Sequence, residues 1–270
     1  MKTKYKIFFA KILYFIIKIF YSNDQVNSSR NGINWSLDLN EGIDLSIFIF
    51  GNFEKSILKT AKILMPDNQI DIIDIGSNIG VHTLNFAKNF KHSRVYSIEP
   101  TNFAYNKLLK NLSLNPSIKN IFTSQYFISE RKRIPVDIYS SWDLKVGKNK
   151  HKKHMGLKKS TSYAKIISLD EFVEDNKINR KTLIKCDVDG YELSIFKSGQ
   201  NYFKKYKPIV MMELAPYLYK ENGYSTEDFL KYIQKFNYNF FELDNLKKIS
   251  NIFEYAKNIN DGSSKNIILK

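Results

Sequence analysis

Cysteine is scarce in this sequence: Cys186 is the single one among 270 residues. One cysteine excludes an internal disulfide framework and fits a reducing cytoplasm. Cys186 stands within a mostly apolar run, which predicts a buried, unreactive thiol instead of a nucleophile. We therefore expect a cytoplasmic protein that is held together by its apolar core, for which 43% of apolar residues is sufficient.

The sequence also lacks an ordinary membrane-spanning run. Residues 7–21 are apolar except for Lys11 and Lys18, but this stretch is shorter than the roughly 18 to 20 apolar residues that cross a bilayer. No small-residue cleavage site follows it, so a secretory signal is not expected. Lys4, Lys11 and Lys18 are spaced seven apart, which places them along one line of a helix. Three interpretations stay open for residues 4–21: a helix in peripheral contact with a membrane, a helix packed on the domain or on another subunit, and a membrane anchor.

Acidic residues are in the minority, with 27 against 42 basic residues and a formal net charge of +15. Such a charge attracts anionic partners, among them nucleic acid, anionic lipid and acidic glycans, without selecting one of them. Many basic residues fall within residues 125–167, which we predict to be a polar insertion over the strand ends that carries acceptor specificity. This insertion contains Lys145, Lys148, Lys150, Lys152, Lys153, Lys158, Lys159, His151 and His154, which we expect in a solvated basic loop.

The order of apolar and polar segments predicts two parts. Residues 1–34 are expected to form a helix followed by a polar linker at 22–34, and residues 35–270 one α/β domain with a doubly wound, Rossmann-like, mostly parallel sheet. Strands are predicted at 70–75, 94–98, 120–124, 182–186, 208–214, 238–243 and 266–269. Helices are predicted at 53–65, 79–90, 101–114, 193–206 and 227–236.

The first strand of this alternation ends in Asp74-Ile-Gly76-Ser-Asn78-Ile-Gly80. In open α/β sheets, ligands bind beyond the carboxyl ends of the strands, and Gly76 and Gly80 allow a sharp turn and a close approach of the ligand. Asn78 stands where a dinucleotide-binding loop has its middle glycine, and no phosphate-binding lysine follows. The loop therefore predicts a nucleoside ligand without phosphates.

Glu99 ends the second predicted strand, where an acidic residue can accept hydrogen bonds from both ribose hydroxyls. Asp74 and Glu99 together favour a ligand that carries an ammonium and a sulfonium group. We therefore predict that Asp74 and Glu99 contact the cofactor.

Several runs, in this order, resemble the FkbM family of class I methyltransferases. They are DIIDIGSNIGVHTLNFAKNF, RVYSIEPTNFAYNKLLKNLSLN, ISLDEF, LIKCDVDGYELSIFKSG and VMMEL, within about residues 50 to 245. The resemblance implies S-adenosylmethionine as cofactor, with Gly76, Asn78, Gly80 and Glu99 binding it, and methylation of hydroxyls on sugars or other natural products. Upstream, Gly51-Asn-Phe-Glu54 resembles the family's short Gly-x-x-Glu segment, which adds Glu54 to the predicted cofactor site.

Three carboxylates follow the later strands: Asp187 and Asp189 after the fourth, and Glu213 in the fifth. Adjacent strand ends place them around one cleft, so we predict them to be the catalytic residues. Asp187 is expected to contact cofactor or substrate, Asp189 to act as the base, and Glu213 to contact substrate or a metal, although metal dependence is not expected. The family usually has Asp-Val-Glu-Gly-x-Glu, whereas this chain has Asp187-Val-Asp189-Gly-Tyr-Glu192.

The predicted function is S-adenosylmethionine-dependent O-methylation of a glycan or a related natural product. The acceptor is expected to be a small molecule or a glycan, with a lipid-linked form included. RNA methylation is an alternative favoured by the basic charge, but no nucleic-acid recognition module is found in the sequence. A degenerate fold that acts as a membrane-associated interaction module is a third alternative, which the intact loop and Glu99 disfavour.

Overall fold

The computed structural model describes residues 3–130, 137–144, 150–153 and 155–270. Its helices are Thr3–Phe20 (α1), Gly42–Phe50 (α2), Lys55–Leu64 (α3), Val81–Asn89 (α4), Asn102–Ser113 (α5), Leu169–Asp175 (α6), Glu192–Ser198 (α7), Gln200–Tyr206 (α8), Pro216–Tyr219 (α9), Thr226–Gln234 (α10) and Ile252–Lys257 (α11). Its strands are Gln25–Arg30 (β1), Ile33–Asp38 (β2), Asp71–Ile75 (β3), Arg94–Ile98 (β4), Ile121–Ser124 (β5), Tyr126–Ile128 (β6), Asp137–Trp142 (β7), Gly156–Ser160 (β8), Lys165–Ile167 (β9), Thr182–Cys186 (β10), Ile209–Leu214 (β11), Phe240–Glu242 (β12) and Lys265–Leu269 (β13).

A seven-stranded sheet in the order β12-β13-β11-β10-β3-β4-β5 forms the centre of the fold. The five strands from β11 to β5 are parallel, whereas β13 runs antiparallel to both of its neighbours. The chain first winds outward from β3 to β5 and then in the other direction from β10, so the order reverses between β3 and β10. The predicted doubly wound, mostly parallel α/β fold is confirmed.

Both faces of the sheet are covered by helices. Ile73 and Ile184 point to the face that is packed by α6, α7, α8, α10 and α11. Ile72 and Leu183 point to the other face, which is packed by α3 and α4. This alternation follows from the period of two along a strand, and it explains why the central strands read as continuous apolar runs.

The helix predicted at 193–206 is two helices, because the chain breaks at Gly199 between α7 and α8. A Cβ atom at Gly199 would lie 2.6 Å from the side chain of Leu169 in α6. Glycine is a poor helix former, and here its missing side chain leaves room for α6 to pack. The prediction of one continuous helix was therefore wrong at this residue.

The polar linker predicted at 22–34 is largely a β-hairpin, which corrects the sequence interpretation. β1 pairs antiparallel with β2, and the two residues between them, Asn31 and Gly32, have φ angles of 53° and 65°. Asn-Gly with two positive φ angles is typical of a two-residue hairpin turn. β2 contributes the buried Trp35 to the core, whereas β1 is an outer strand whose residues alternate between exposed and half-buried, so its sequence is polar.

The basic insertion at 125–167 contains the parallel pair β6 and β9 and the hairpin of β7 and β8. His151 is buried, lies 2.7 Å from a carboxylate oxygen of Glu221, and packs edge-on against Tyr139. The expectation that His151 belongs to a solvated loop was therefore wrong. Lys145, Lys148 and His154 lie outside the described residues.

Helix α1 packs on the domain through one side. Ala10 is buried against Leu39, Leu45 and Leu144, with Tyr14 at the edge of this cluster. Within the described residues, no helix is both long enough and apolar enough to cross a membrane. The side of α1 that carries Ala10 thus fits the interpretation in which residues 4–21 form a helix packed on the domain.

Candidate active site

A cavity of about 790 Å³ opens at the carboxyl ends of the parallel strands. Its lining includes Gly76 after β3, Glu99 after β4, Asp187 and Asp189 after β10, and Glu213 in β11. These positions surround the reversal of strand order between β3 and β10, which is where ligands bind in open α/β folds.

The loop between β3 and α4 is shaped by residues with positive φ angles. Gly76 has φ 78°, and a Cβ atom there would lie 1.9 Å from the carbonyl oxygen of Asp187. Asn78 has φ 50°, and its backbone N–H donates to Oε2 of Glu99 at 2.9 Å. Gly80 has φ 90° at the start of α4, but it packs against Leu108 and does not line the cavity. Gly76 and Asn78 thus line the cavity, whereas Gly80 supports the loop.

Glu99 is a fixed hydrogen-bond acceptor on the cavity wall. Its Oε1 accepts from the backbone N–H of Thr101 at 2.9 Å and from the Thr101 hydroxyl at 2.6 Å. The side chain is buried, and burial raises its pKa above the ordinary value for glutamate. A carboxylate has about four acceptor positions, and Asn78 and Thr101 occupy three of them, so Oε2 can still accept from a ribose hydroxyl.

Asp74 does not line the cavity, contrary to the prediction that it contacts the cofactor. Its carboxylate is fully buried beneath the loop, where Oδ2 accepts from the Thr83 hydroxyl at 2.6 Å. Oδ1 lies 3.8 Å from the ammonium nitrogen of Lys185. Because the whole side chain is enclosed by protein, Asp74 acts on the site through Lys185.

Lys185 is a functional residue that the sequence reasoning missed. Its Nζ lies 3.1 Å from Oδ2 of Asp187, and the side chain is 5% exposed. Burial alone would lower the pKa of Lys185, but the carboxylates of Asp187 and Asp74 hold it above the usual value, so the group is charged. The signal in the sequence was a lysine between Ile184 and Cys186, in an otherwise apolar strand.

The structure brings together the three carboxylates that were predicted to be catalytic. Oxygen atoms of Asp187, Asp189 and Glu213 lie within 4.8 Å of one another. Burial and the charge of Asp187 raise the pKa of Asp189 to about 7. Burial and the charges of Asp187 and Asp189 raise the pKa of Glu213 well above its usual value. A carboxylate with a pKa near neutrality is suited to remove a proton from a bound acceptor.

The same three carboxylates offer the oxygen ligands that a divalent cation prefers. Lys185 already supplies a positive charge beside Asp187, at 3.1 Å. This ammonium group balances part of the negative charge that would otherwise attract a metal.

Glu54 also reaches the cavity, at the start of α3. Its Oε1 accepts from the side-chain amide of Asn266 at 3.2 Å, and its Oε2 lies 3.4 Å from Nε2 of His82. Burial would raise the pKa of Glu54, but the side chain of His82 and the charge of Lys185 lower it to about 2. Glu54 therefore contributes a negative charge to the cavity.

An aromatic and apolar wall faces the carboxylates. Phe127 of β6 packs edge-on against Tyr191 with ring centroids 5.2 Å apart, and both rings line the cavity with Ile128. Phe9 and Leu13 of α1 also line the cavity. No pattern in the sequence indicates this contact, because α1 lies far along the chain from the loop between β3 and α4.

Glu192 lies below the cavity and does not line it. Its side chain is fully buried, and its Oε1 accepts from the backbone N–H of Gly190 at 3.4 Å. Its second carboxylate oxygen has no hydrogen-bond partner, and burial raises the pKa of Glu192 to about 8.

Comparison with known proteins gives one family model, described as the methyltransferase FkbM domain, which matches residues 74–240. A relative, the hexuronic acid methyltransferase AglP of Haloferax volcanii, is 26% identical over 145 residues, which cover 52% of this chain and 55% of that protein. The chain thus matches about half the length of this relative.

Similar solved structures include one that is described as a complex with AdoMet and one that is described as a SAM-dependent methyltransferase. TYW2 of M. jannaschii, in complex with AdoMet, has a TM-score of 0.43 and 15% identity over 92% of this chain and 84% of its own. A TehB-like SAM-dependent methyltransferase of Corynebacterium glutamicum has a TM-score of 0.45 and 9% identity over 83% of this chain and 91% of its own.

Proposed function

Because the chain belongs to the FkbM family of S-adenosylmethionine-dependent methyltransferases, we propose that it methylates a hydroxyl group of a glycan or a related natural product. The observation that carries this proposal is the cavity in which Glu99 faces the cluster of Asp187, Asp189 and Glu213. The similarity to a protein named as a hexuronic acid methyltransferase supports a sugar acceptor.

The residues of the cavity fit the cofactor. A side chain at Gly76 would collide with the backbone of Asp187, so glycine lets the loop and the end of β10 approach each other at the cavity. Glu99 would accept a hydrogen bond from a ribose hydroxyl, and Phe127 and Ile128 offer an apolar surface to the purine ring. The negative charges of Glu54 and Asp187 complement a cationic ligand. When bound, S-adenosylmethionine supplies a methyl group activated by its sulfonium.

Asp189 is the proposed base. The Asp189 carboxylate would take the proton of the acceptor hydroxyl as the acceptor oxygen receives the methyl group. Lys185 fixes Asp187 at 3.1 Å, so Asp187 can position the acceptor oxygen for in-line attack. The apolar wall around Phe127 and Tyr191 excludes water from the reacting atoms.

Calorimetric titration with S-adenosylmethionine tests the cofactor site. We expect Glu99→Gln to weaken binding by about tenfold or more, because hydrogen bonds to a charged acceptor contribute about 1.5 to 3 kcal/mol. Glu174→Gln, at an exposed position of α6, is the matched control and should bind as the unaltered chain does. Absence of binding by the unaltered chain would refute the proposed function.

Methyl transfer from labelled cofactor into a cell extract tests the reaction and identifies the acceptor. Asp189→Asn should keep cofactor affinity and lose turnover, since its amide cannot take the proton. Label in a saccharide supports the proposal, whereas label in RNA would favour the alternative that the basic charge suggests.

A further inference from the structure

Helix α1 has a second apolar side on which large side chains are exposed. Opposite the buried Ala10, six large side chains are exposed, among them Phe15 at 72%, Ile19 at 69% and Phe20 at 78%; the others are Phe9, Ile12 and Ile16. We call these six residues the outer face of α1. A continuous exposed apolar surface of this kind marks a site of interaction with a partner or a membrane.

The charge carried by helix α1 itself is positive, and the whole chain has a formal net charge of +15. The sequence of α1 contains no acidic residue; Lys11 is exposed, whereas Lys18, on the same line of the helix, is paired with Asp24 at 3.0 Å. Lys150 of the insertion lies close enough to Lys11 that, after burial, the charge of Lys11 also lowers the pKa of Lys150. An apolar helix face bordered by lysines is complementary to a lipid surface with anionic headgroups.

The outer face is continuous with the cavity. Phe9 belongs to both, since it lines the cavity and is 54% exposed. On the neighbouring helix α2, Phe50 also lines the cavity and is 64% exposed. The cavity is therefore lined by carboxylates and also by exposed aromatic side chains. A free sugar would leave these aromatic side chains in water, whereas a lipid tail would cover them.

We propose that the outer face of α1 lies on an anionic membrane surface, and that the acceptor is a lipid-linked molecule whose hydroxyl-bearing headgroup enters the cavity between Phe9 and Phe50. The membrane part of the inference stands on the outer face alone. The acceptor part rests on the proposed methyl transfer, because it names the substrate class of that site.

Vesicle co-sedimentation of the full chain tests the membrane part. We expect binding to vesicles of phosphatidylcholine with phosphatidylglycerol and much weaker binding to phosphatidylcholine alone. The double variant Phe15→Asp with Ile19→Asp should bind the anionic vesicles at least about tenfold more weakly, because it places two charges on the inserted face. Neither residue lines the cavity, so cofactor affinity should be unchanged.

The matched control is Ile63→Asp with Phe122→Asp, at two exposed apolar positions on α3 and β5. This control should bind the vesicles as the unaltered chain does. Equal binding by both double variants would overturn the membrane part. So would a dimer in light scattering that binds no vesicles and dissociates with Phe15→Asp, because a second copy would then cover the outer face.

The acceptor part is tested by extracting the labelled reaction product with organic solvent. Label in the lipid fraction, released into water by mild acid that cleaves sugar–lipid linkages, is the expected result. Label confined to free, water-soluble saccharide would overturn the acceptor part while leaving methyl transfer intact. Loss of cofactor binding in the unaltered chain would instead refute the proposed function, so the two failures are distinguishable.

Discussion

Lys185 places a positive charge beneath the carboxylates of the cavity. Its Nζ lies 3.8 Å from Oδ1 of Asp74 and 3.1 Å from Oδ2 of Asp187. The three residues belong to the carboxyl ends of β3 and β10 or follow them directly. A buried charge is tolerated when it is paired, and these carboxylates pair with the same ammonium group. The interaction of Asp74 with the site is thus electrostatic and indirect.

We expect Lys185→Met to destabilise the protein by about 3 kcal/mol or more, because it leaves buried carboxylates without their counter-charge. The free energy of unfolding in urea, measured by circular dichroism, checks this. Lys62→Met, at an exposed position of α3, is the control and should change stability by less than about 0.5 kcal/mol. Equal stability of the two variants would contradict the role of Lys185.

Glu192 should make the stability of the protein depend on pH. Its pKa is raised by burial to about 8 in the folded chain, so the folded state holds the proton more tightly than the unfolded state. This contribution to stability is fully present below the ordinary carboxyl pKa and is lost as the pH rises through about 8.

Glu192→Gln should therefore raise the Tm at pH 9 by several degrees and change it little at pH 5, since 1 kcal/mol shifts Tm by about 2 to 4 °C at this chain length. Thermal unfolding followed at both pH values checks the prediction. Glu174→Gln should have the same Tm as the unaltered chain at both pH values. A Glu192→Gln protein that loses as much stability at high pH as the unaltered chain would show that Glu192 is already ionised when folded.

Asp189 should give methyl transfer a pH dependence near neutrality. Its pKa is raised by burial and Asp187 to about 7, and a base must be deprotonated to act. We expect kcat to fall about tenfold for each pH unit below the apparent pKa and to level off above it. That pKa belongs to the coupled cluster, so Asp187→Asn should move it downward by removing the negative charge that raises the pKa of Asp189. A rate independent of pH between 5 and 8 would exclude the cluster as the base.

At the scale of elements, the loop between β3 and α4 depends on the absence of a side chain at Gly76. Its φ is 78°, and the Cβ of an alanine would lie 1.9 Å from the backbone of Asp187. We expect Gly76→Ala to cost about 3 kcal/mol or more of stability, from overpacking together with a left-handed backbone, and to abolish cofactor binding.

Gly223→Ala is the matched control for Gly76→Ala. Its φ is 83°, but nothing lies within 4 Å of the added Cβ atom. The control therefore carries the backbone strain alone, about 1 to 2 kcal/mol. Thermal unfolding and calorimetric titration of both variants separate the two effects. Similar losses in both would show that the contact with Asp187 is unimportant.

The elements that the sequence predicted are those whose signal is local. Apolar runs predicted the central strands, and the helix predicted at 227–236 is α10, which begins with a capping box of Ser225 and Asp228. The hairpin of β1 and β2 was missed because β1 is polar and the Asn31-Gly32 turn was taken as part of a linker. The break at Gly199 was missed because it depends on Leu169, which belongs to another helix.

At the scale of the whole molecule, some contacts of the site could be predicted from the sequence and others could not. Asn78 and Glu99 follow neighbouring strands, so their contact in the structure could be expected from the order of the strands. Glu54 and Asn266 are distant in sequence, and no pattern in either segment indicates that their side chains meet. Likewise, no pattern in the sequence indicates that Phe9 lines the cavity. Such contacts depend on the packing of the complete fold.

The last strand should be essential to the fold, whereas α1 should be dispensable for it. β13 lies between β11 and β12, and Ile267, Ile268 and Leu269 are fully buried. A chain that stops at residue 262 loses three buried side chains worth about 1.5 to 3 kcal/mol each, which approaches the total stability of a domain. We expect it to show no cooperative unfolding transition.

A chain that starts at residue 22 is the control for this truncation. It loses α1, which packs through one side only, and should keep a cooperative transition in circular dichroism. Cooperative unfolding of the chain that stops at residue 262 would show that β13 is peripheral to the fold.

The place of β13 in the sheet also has a consequence for synthesis on the ribosome. β13 leaves the exit tunnel after every other strand, yet it must enter the sheet between β11 and β12. Ser264, which donates a hydrogen bond to Glu213, arrives with it. Synthesis therefore completes the loop between β3 and α4 and Glu99 before it supplies the strand next to Ser264, the residue that donates to Glu213.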